Sequence, residues 1–420
     1  MRRVGRTILW TAFFLCCFLA VRIAGSGFLL ENDSLITESS LPYLEKGAGK
    51  TENVKVLSEK KEEETGNRNE KVFSDELKAD LMRKQQDLYY FSNLEITEQN
   101  LYVEILYALE NYAENMKVST TDTAVIDKIF QCVLMDHPEI FYTDGYSFVK
   151  YTLGEEVQKI TFQGTYIYSQ EEKEEKERQI EEAVFKIISQ IEADVADYEK
   201  VKYAYETIIH QTEYDLESED NQNICSVFLN RKSVCQGYAK AIQYLLTKLN
   251  IPAVLVIGTV ETGEGHAWNL VKINNQYYYL DATWGDASYR VHIDEMEQEP
   301  QYVPAINYDY FCITTEEILK THKAGDLMPL PLCDSMEANY YVREGAYFTE
   351  VNYEQLAQLF AEYQEKERET VTIKCADDIV YQQMEEELLT KQKIFRFLEG
   401  KENSIIYNDS SSQRSITFWL

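Results

Sequence analysis

Cysteine is scarce in this 420-residue chain, and its eight copies never fall into a Cys-x-x-Cys or closely spaced Cys/His pattern. A structural zinc site is therefore not expected, and no motif asks for another metal or a cofactor. Basic residues are short as well: 41 Lys and Arg face 72 Asp and Glu, a formal charge of −31. So acidic a surface excludes a nucleic-acid partner, because phosphate binding needs a basic one. It suits a soluble exported protein, or a cationic or amine-bearing partner. The apolar run from Thr7 to Val21 falls short of the roughly 20 residues that span a bilayer. No internal repeat is present, which excludes a stacked-repeat architecture.

What is present is globular. The chain is 45% hydrophobic with 31 Tyr and 18 Phe, enough for two or three domains and a sizeable core. Residues 1–30 read as an address: Arg2, Arg3 and Arg6, the apolar run, Arg22, then Ala24, Gly25, Ser26 and Gly27. That order fits a secretory signal peptide, or an uncleaved anchor with the body outside. Membrane contact is expected only through this segment. Since it holds four Arg and no acid, the formal charge beyond it falls from −31 to about −35. Residues 31–75 are polar and poor in aromatics, and read as a disordered acidic tether or a solvated helix. Residues 76–196 carry helical periodicity at Leu101, Ile105, Leu106 and Leu109 and at Ile126, Ile129, Phe130 and Val133. A hairpin-like alternation follows over 146–168, then an amphipathic helix through Ile180, Val184 and Ile187.

The chemistry concentrates in residues 197–327. Tyr238, Ala241, Ile242, Leu245, Leu246 and Leu249 recur at three- and four-residue steps, predicting a buried helical face that Pro252 ends. Cys235 then stands at the helix start, where free N–H groups and the helix dipole favour a thiolate. Gly237 allows backbone or substrate to approach closely. His266–Ile273 and Gln276–Thr283 read as strands joined by an Asn274-Asn275 turn. In that register 273 faces 276 and 266 faces 283, so Asp281 leaves the same face as His266 at the diagonal position. Cys, His and Asp are thus set for a nucleophile, its base and the carboxylate that orients the base.

These residues resemble a known family. Val234-Cys235-Gln236-Gly237-Tyr238-Ala239, His266-Ala267-Trp268-Asn269 and Leu280-Asp281-Ala282-Thr283-Trp284 look like the three blocks of the transglutaminase-like superfamily. The flanks are similar to its bacterial exported members at Asp136-His137-Pro138-Glu139-Ile140-Phe141, at Asn307-Tyr308-Asp309-Tyr310-Phe311 and at Thr321-His322. The resemblance implies an α+β, papain-like core and acyl transfer through a Cys235 thioester, with His266 as base then acid and Asp281 as orienter. Gln222 is a candidate oxyanion donor or an ordinary polar loop residue. Asn269 is expected to brace the hairpin or a loop, and Trp284 to shield the triad; Tyr238 and Trp268 complete the matched blocks.

Residues 328–420 read as a small α/β appendage that extends the core or docks substrate. Helical stretches are expected at 353–366 and 380–389, and strands at 370–374 and 415–419. With Cys235 reduced, Cys132, Cys225, Cys312, Cys333 and Cys375 allow at most two disulfides, and look like packing. The expectation is an exported cysteine acyltransferase or peptidase acting on protein or peptide amides, possible cell-envelope proteins among them. A catalytically inactive cell-surface binding module is the alternative, and a small-acyl transferase a third reading.

Overall fold

In the computed structural model, residues 49–56, 73–192, 194–286, 306–398 and 404–420 are described, the first of these as backbone. The expected leader and most of the expected tether lie outside them. Among the described residues no helix is long and apolar enough to cross a membrane.

Inside the stretch expected to be a tether, β1 (Gly49–Val56) runs parallel to a later strand. Composition flags this segment as unable to bury itself, but an extended chain can still complete a free sheet edge through backbone hydrogen bonds. Helices α1 (Asp75–Lys84), α2 (Tyr89–Ser92) and α3 (Ile96–Glu110), the short β2 (Met116–Lys117) and α4 (Thr123–Asp136) follow. Next come the hairpin β3 (Thr143–Leu153) and β4 (Glu156–Tyr166), then α5 (Gln170–Ile188). The first sheet has the order β1-β3-β4-β2. The predicted periodic residues of α3 and α4 are buried, as are Ile180, Val184 and Ile187 of α5. Asp136 fastens this region: its carboxylate accepts from Tyr90 N (3.1 Å), Phe91 N (2.9 Å) and Tyr102 Oη (3.0 Å). Burial is the main reason that its pKa is pushed up to about 6.

The central region begins with α6 (Asp197–Gln211) and the two-residue pair β5 (Glu213–Tyr214) and β6 (Lys232–Ser233), then α7 (Cys235–Lys248). Strands β7 (Ala253–Val260), β8 (Gly265–Ile273) and β9 (Gln276–Leu280) lead to the single-turn α8 (Ala282–Gly285). After it come β10 (Phe311–Ile313), the one-turn α9 (Thr315–Ile318) and β11 (His322–Ala324). The sheet order is β10-β9-β8-β7-β11, antiparallel throughout. β8 is central, and Ala267 to Val271 are all buried, so both of its faces are covered. Asn274 (φ 49) and Asn275 (φ 67) are both left-handed, as a two-residue turn matched to strand twist requires. The stop of α7 differs from expectation. Asn250 (φ 60) ends it in a Schellman arrangement, with Ile251 N donating to Leu246 O at 2.9 Å, and Pro252 lies beyond.

The last region holds α10 (Tyr340–Arg343), β12 (Tyr347–Phe348), α11 (Tyr353–Glu365), β13 (Thr370–Cys375), α12 (Asp378–Glu385), β14 (Tyr407–Ser410) and β15 (Ser415–Trp419). Its sheet order is β12-β13-β15-β14. It is tied to the central region through buried groups. Lys374 Nζ pairs with Asp309 Oδ1 at 2.9 Å, Ser415 Oγ donates to Asp309 Oδ2 at 3.1 Å, and the rings of Tyr308 and Tyr340 stack at 3.6 Å. These contacts make it an extension of the core rather than a loosely appended unit. Among the described residues the fold is α+β, with one helix carrying Cys235 packed on an antiparallel sheet.

Candidate active site

Cys235 is the first residue of α7, and the preceding Val234 offers no side-chain cap. The first-turn N–H groups of that helix therefore remain without a side-chain oxygen, at the positive end of its dipole. Among the six described cysteines, all free, only Cys235 is partly exposed. Gly237 serves the loop ahead of the helix, not substrate. A Cβ there would lie 1.9 Å from Ser233 Oγ and 2.9 Å from both Asn221 O and Ser226 Oγ. Gly237→Ala is expected to cost about 1–3 kcal/mol, because backbone and a hydrogen-bonded serine pair must give way. An unchanged urea midpoint in that variant would contradict this packing.

His266 is near the start of β8 and Asp281 just past the end of β9, which antiparallel pairing brings to the same end. The pairing has the expected register as far as Asn269↔Leu280. It then stops short of the predicted 266–283 pair, and Thr283 is in α8, not in a strand. The reason is Asp281 itself: its Oδ1 accepts from Thr283 N (2.9 Å) and Trp284 N (3.2 Å), capping the next turn. Its Oδ2 lies 2.8 Å from His266 Nε2. That leaves Nδ1 of His266 free of Asp281, and Cys235 is near enough to raise the pKa of the imidazole.

Burial by itself pulls the His266 pKa down, but the Asp281 carboxylate and then Cys235 overcome it and push the value up to about 10. Burial likewise works against ionisation of Asp281, yet His266 and a second histidine hold the carboxyl well below the usual carboxylate range. The second histidine is His322, at the start of β11, with Nε2 at 3.1 Å from the same Oδ2. Sequence pattern assigns His322 no role beyond a flanking resemblance. By strand order it stands three places from β9, about 14 Å in a flat sheet, so strand twist and side-chain reach must close the gap. Only the long-range pairing of β11 with β7 reveals it.

The remaining matched residues support this arrangement. Asn269 donates from Nδ2 to Ala239 O (2.9 Å) and Val254 O (3.4 Å), bracing α7 against the sheet. Tyr238 donates to Thr212 O (3.1 Å) and shares a 2.5 Å hydrogen bond with Asp286 Oδ2. Trp268 and Trp284 flank both imidazoles, with centroids 4.9 and 4.7 Å from His322 and 6.0 and 5.9 Å from His266. The indole nitrogens of both are buried without a partner among the described residues. Gln222 is half-buried in the turn at 221–222, ahead of the helical stretch 224–230 and β6, and Asn221 O accepts from Val234 N at 3.1 Å, which ties that turn to the residue before Cys235.

His266, Asp281 and His322 bring their polar atoms within 4.8 Å of one another, a closeness that the two hydrogen bonds to Asp281 Oδ2 account for.

A thiol at a helix start, an imidazole near it and a buried carboxylate behind that form the arrangement a cysteine nucleophile would need. Residues 186–282 match the family model of the transglutaminase-like superfamily. The match covers about a quarter of the chain, so it is this core that is similar to that superfamily. It is 28% identical over 106 residues to the kyphoscoliosis peptidase of Mus musculus, covering 21% of this chain and 16% of that protein. The shared part is thus a small fraction of the relative's length. Similar solved structures include a TGase (15% identity, 39% of this chain and 47% of that one, TM-score 0.25). Another is a proposed cysteine protease from Cytophaga hutchinsonii (25% identity, 26% and 37%, TM-score 0.22). At these scores the likeness is local.

Proposed function

We propose that the chain is an exported cysteine enzyme that cleaves or transfers protein or peptide amides through a thioester on Cys235. The observation that carries this reading is the position of His266, hydrogen-bonded to the buried Asp281 at 2.8 Å and near enough to Cys235 for the sulfur to raise its pKa. With its pKa pushed up to about 10, His266 is protonated at neutral pH, the charge state that stabilises a thiolate. The sulfur attacks the amide carbonyl, His266 gives its Nδ1 proton to the departing amine, and the thioester remains. Water or a primary amine then attacks, losing its proton to His266, and the sulfur departs as the thiolate, which restores the starting ion pair. The uncapped first-turn N–H groups of α7 meet the oxyanion, with the Gln222 amide as a side-chain donor from the adjoining turn.

The peptidase in the relative's name supports a peptide-bond substrate, and the basic, apolar leader supports an extracytoplasmic setting. Cell-envelope proteins are the proposed partners. Glutamine-containing peptides incubated with and without a primary amine, with the products weighed, test the reading. Ammonia release with amine incorporation marks a transglutaminase, and backbone scission or deamidation a hydrolase. Gln222→Ala is expected to lower turnover roughly 10- to 100-fold without abolishing it. No product from any peptide, together with an inert Cys235, would leave the binding module as the better account.

A further inference from the structure

We propose that His322 is a positioning residue for this chemistry: its Nε2–H donates to Asp281 Oδ2 and holds the carboxylate in the orientation that aims His266 at Cys235. The proposal rests on the thioester reading of the site, but its geometry stands apart from any substrate.

The hydrogen-bond inventory fixes the proton positions. Asp281, ionised, can only accept, so the 3.1 Å contact requires a proton on Nε2 of His322. Burial is the main cause holding the His322 pKa below its usual value, and the neighbouring His266 adds to it, an environment that favours the neutral ring with its one proton on Nε2 facing Asp281. Nδ1 is therefore an acceptor, and the Thr321 hydroxyl at 2.7 Å is its donor. Thr321 sets the tautomer, the tautomer sets the donor, and the donor meets Asp281.

Asp281 thereby reaches a full complement: two backbone N–H groups on Oδ1 and two imidazole N–H groups on Oδ2. A carboxylate held by four donors cannot swing away from His266. His322 has no exposed side-chain surface and is packed between Trp268 and Trp284, with Tyr310 at 5.9 Å. It has no route to substrate, which rules it out as a second base. Because both rings share one oxygen, His322 also draws charge from the oxygen that stabilises the His266 imidazolium. The charged and titratable groups facing it are Asp281, His266 and, more distantly, Glu261.

The test compares His322→Gln, His322→Leu and Thr321→Val with the wild-type full chain. Gln keeps an N–H that can reach Oδ2; Leu keeps bulk without a donor. The pH at which His266 loses its proton, read from ring 15N shifts, is expected to rise by about half a unit or more in His322→Leu. Little change is expected in His322→Gln, and a smaller rise in Thr321→Val. On a peptide the chain turns over, His322→Leu should lower kcat roughly 10- to 100-fold with KM little changed, and Gln should recover most of it. Equal losses of thermal stability in Leu and Gln, with the His266 titration unmoved, would overturn the proposal. The NMR reading needs no substrate, so a chain that turns over nothing fails the functional reading alone.

Discussion

Of the six described cysteines iodoacetamide should modify one quickly, and Cys235→Ala should remove both that labelling and all amide turnover. The contrast comes from access and from charge. Cys132, Cys225, Cys312, Cys333 and Cys375 are buried, and Cys235 alone among the described thiols is partly open. Burial pushes Cys132, Cys225 and Cys375 up to about 12 and Cys333 to about 11, and takes Cys312 well above its usual value. A thiol at 12 is about one part in 10⁵ thiolate at neutral pH, and the thiolate is the reacting species. Labelling at Cys235 should therefore lead the other five by at least ~10³-fold, as read by peptide mass mapping after brief exposure. Turnover in Cys235→Ala should fall ~10⁴-fold or more, since nothing else in the site can form the thioester. Slow and equal labelling at all six would favour the inactive module, and unchanged turnover would remove Cys235 from the chemistry.

Asp281→Asn is the second large effect, and it shows in both rate and stability. With the negative charge gone, burial acts on His266 against Cys235 alone, so its pKa drops from about 10 toward the ordinary 6.5. The imidazolium that supports the thiolate is then lost at neutral pH, and kcat should fall by roughly 10³–10⁴. The stability signature has two limbs. His266 is raised in the folded state, so its contribution is complete below about 6.5 and fades as pH climbs toward about 10. Asp281 is depressed, so its contribution is complete above about 3.8 and fades as pH falls below that. The gap in thermal midpoint between wild type and Asp281→Asn should be widest between about pH 4 and 6.5 and should narrow on either side. A gap that stays flat from pH 3 to 9.5 would mean that no ion pair links the two residues.

How far the sequence reached depended on whether local pattern or distant pairing set each feature. Cys235 at a helix start was legible because the apolar period of α7 marks the helix directly. The His266 and Asp281 strands were legible because two asparagines mark a two-residue turn. The same logic failed one residue past Leu280, where the Asp281 carboxylate prefers the backbone of α8 to a longer strand. It could not see Asn250 as the helix stop, since its left-handed backbone is a choice made in context. Strand β1 hid in a polar segment because its partner edge is supplied by residues nearly a hundred positions later. His322 is the costliest omission: 41 residues separate it from Asp281, and only the curl of the sheet makes them neighbours.

The outermost strands of the catalytic sheet, β10 and β11, are both built from chain that follows residue 282, where the family match stops. A fragment excised at that limit would keep a nucleophile, a base and a carboxylate. It would also leave two raw rims of unpaired amides and carbonyls, an invitation to stick to its own copies. Soluble, working protein therefore calls for a boundary drawn past Ala324. The buried lock between Asp309 and Lys374 pushes the natural cut later still, beyond the C-terminal sheet.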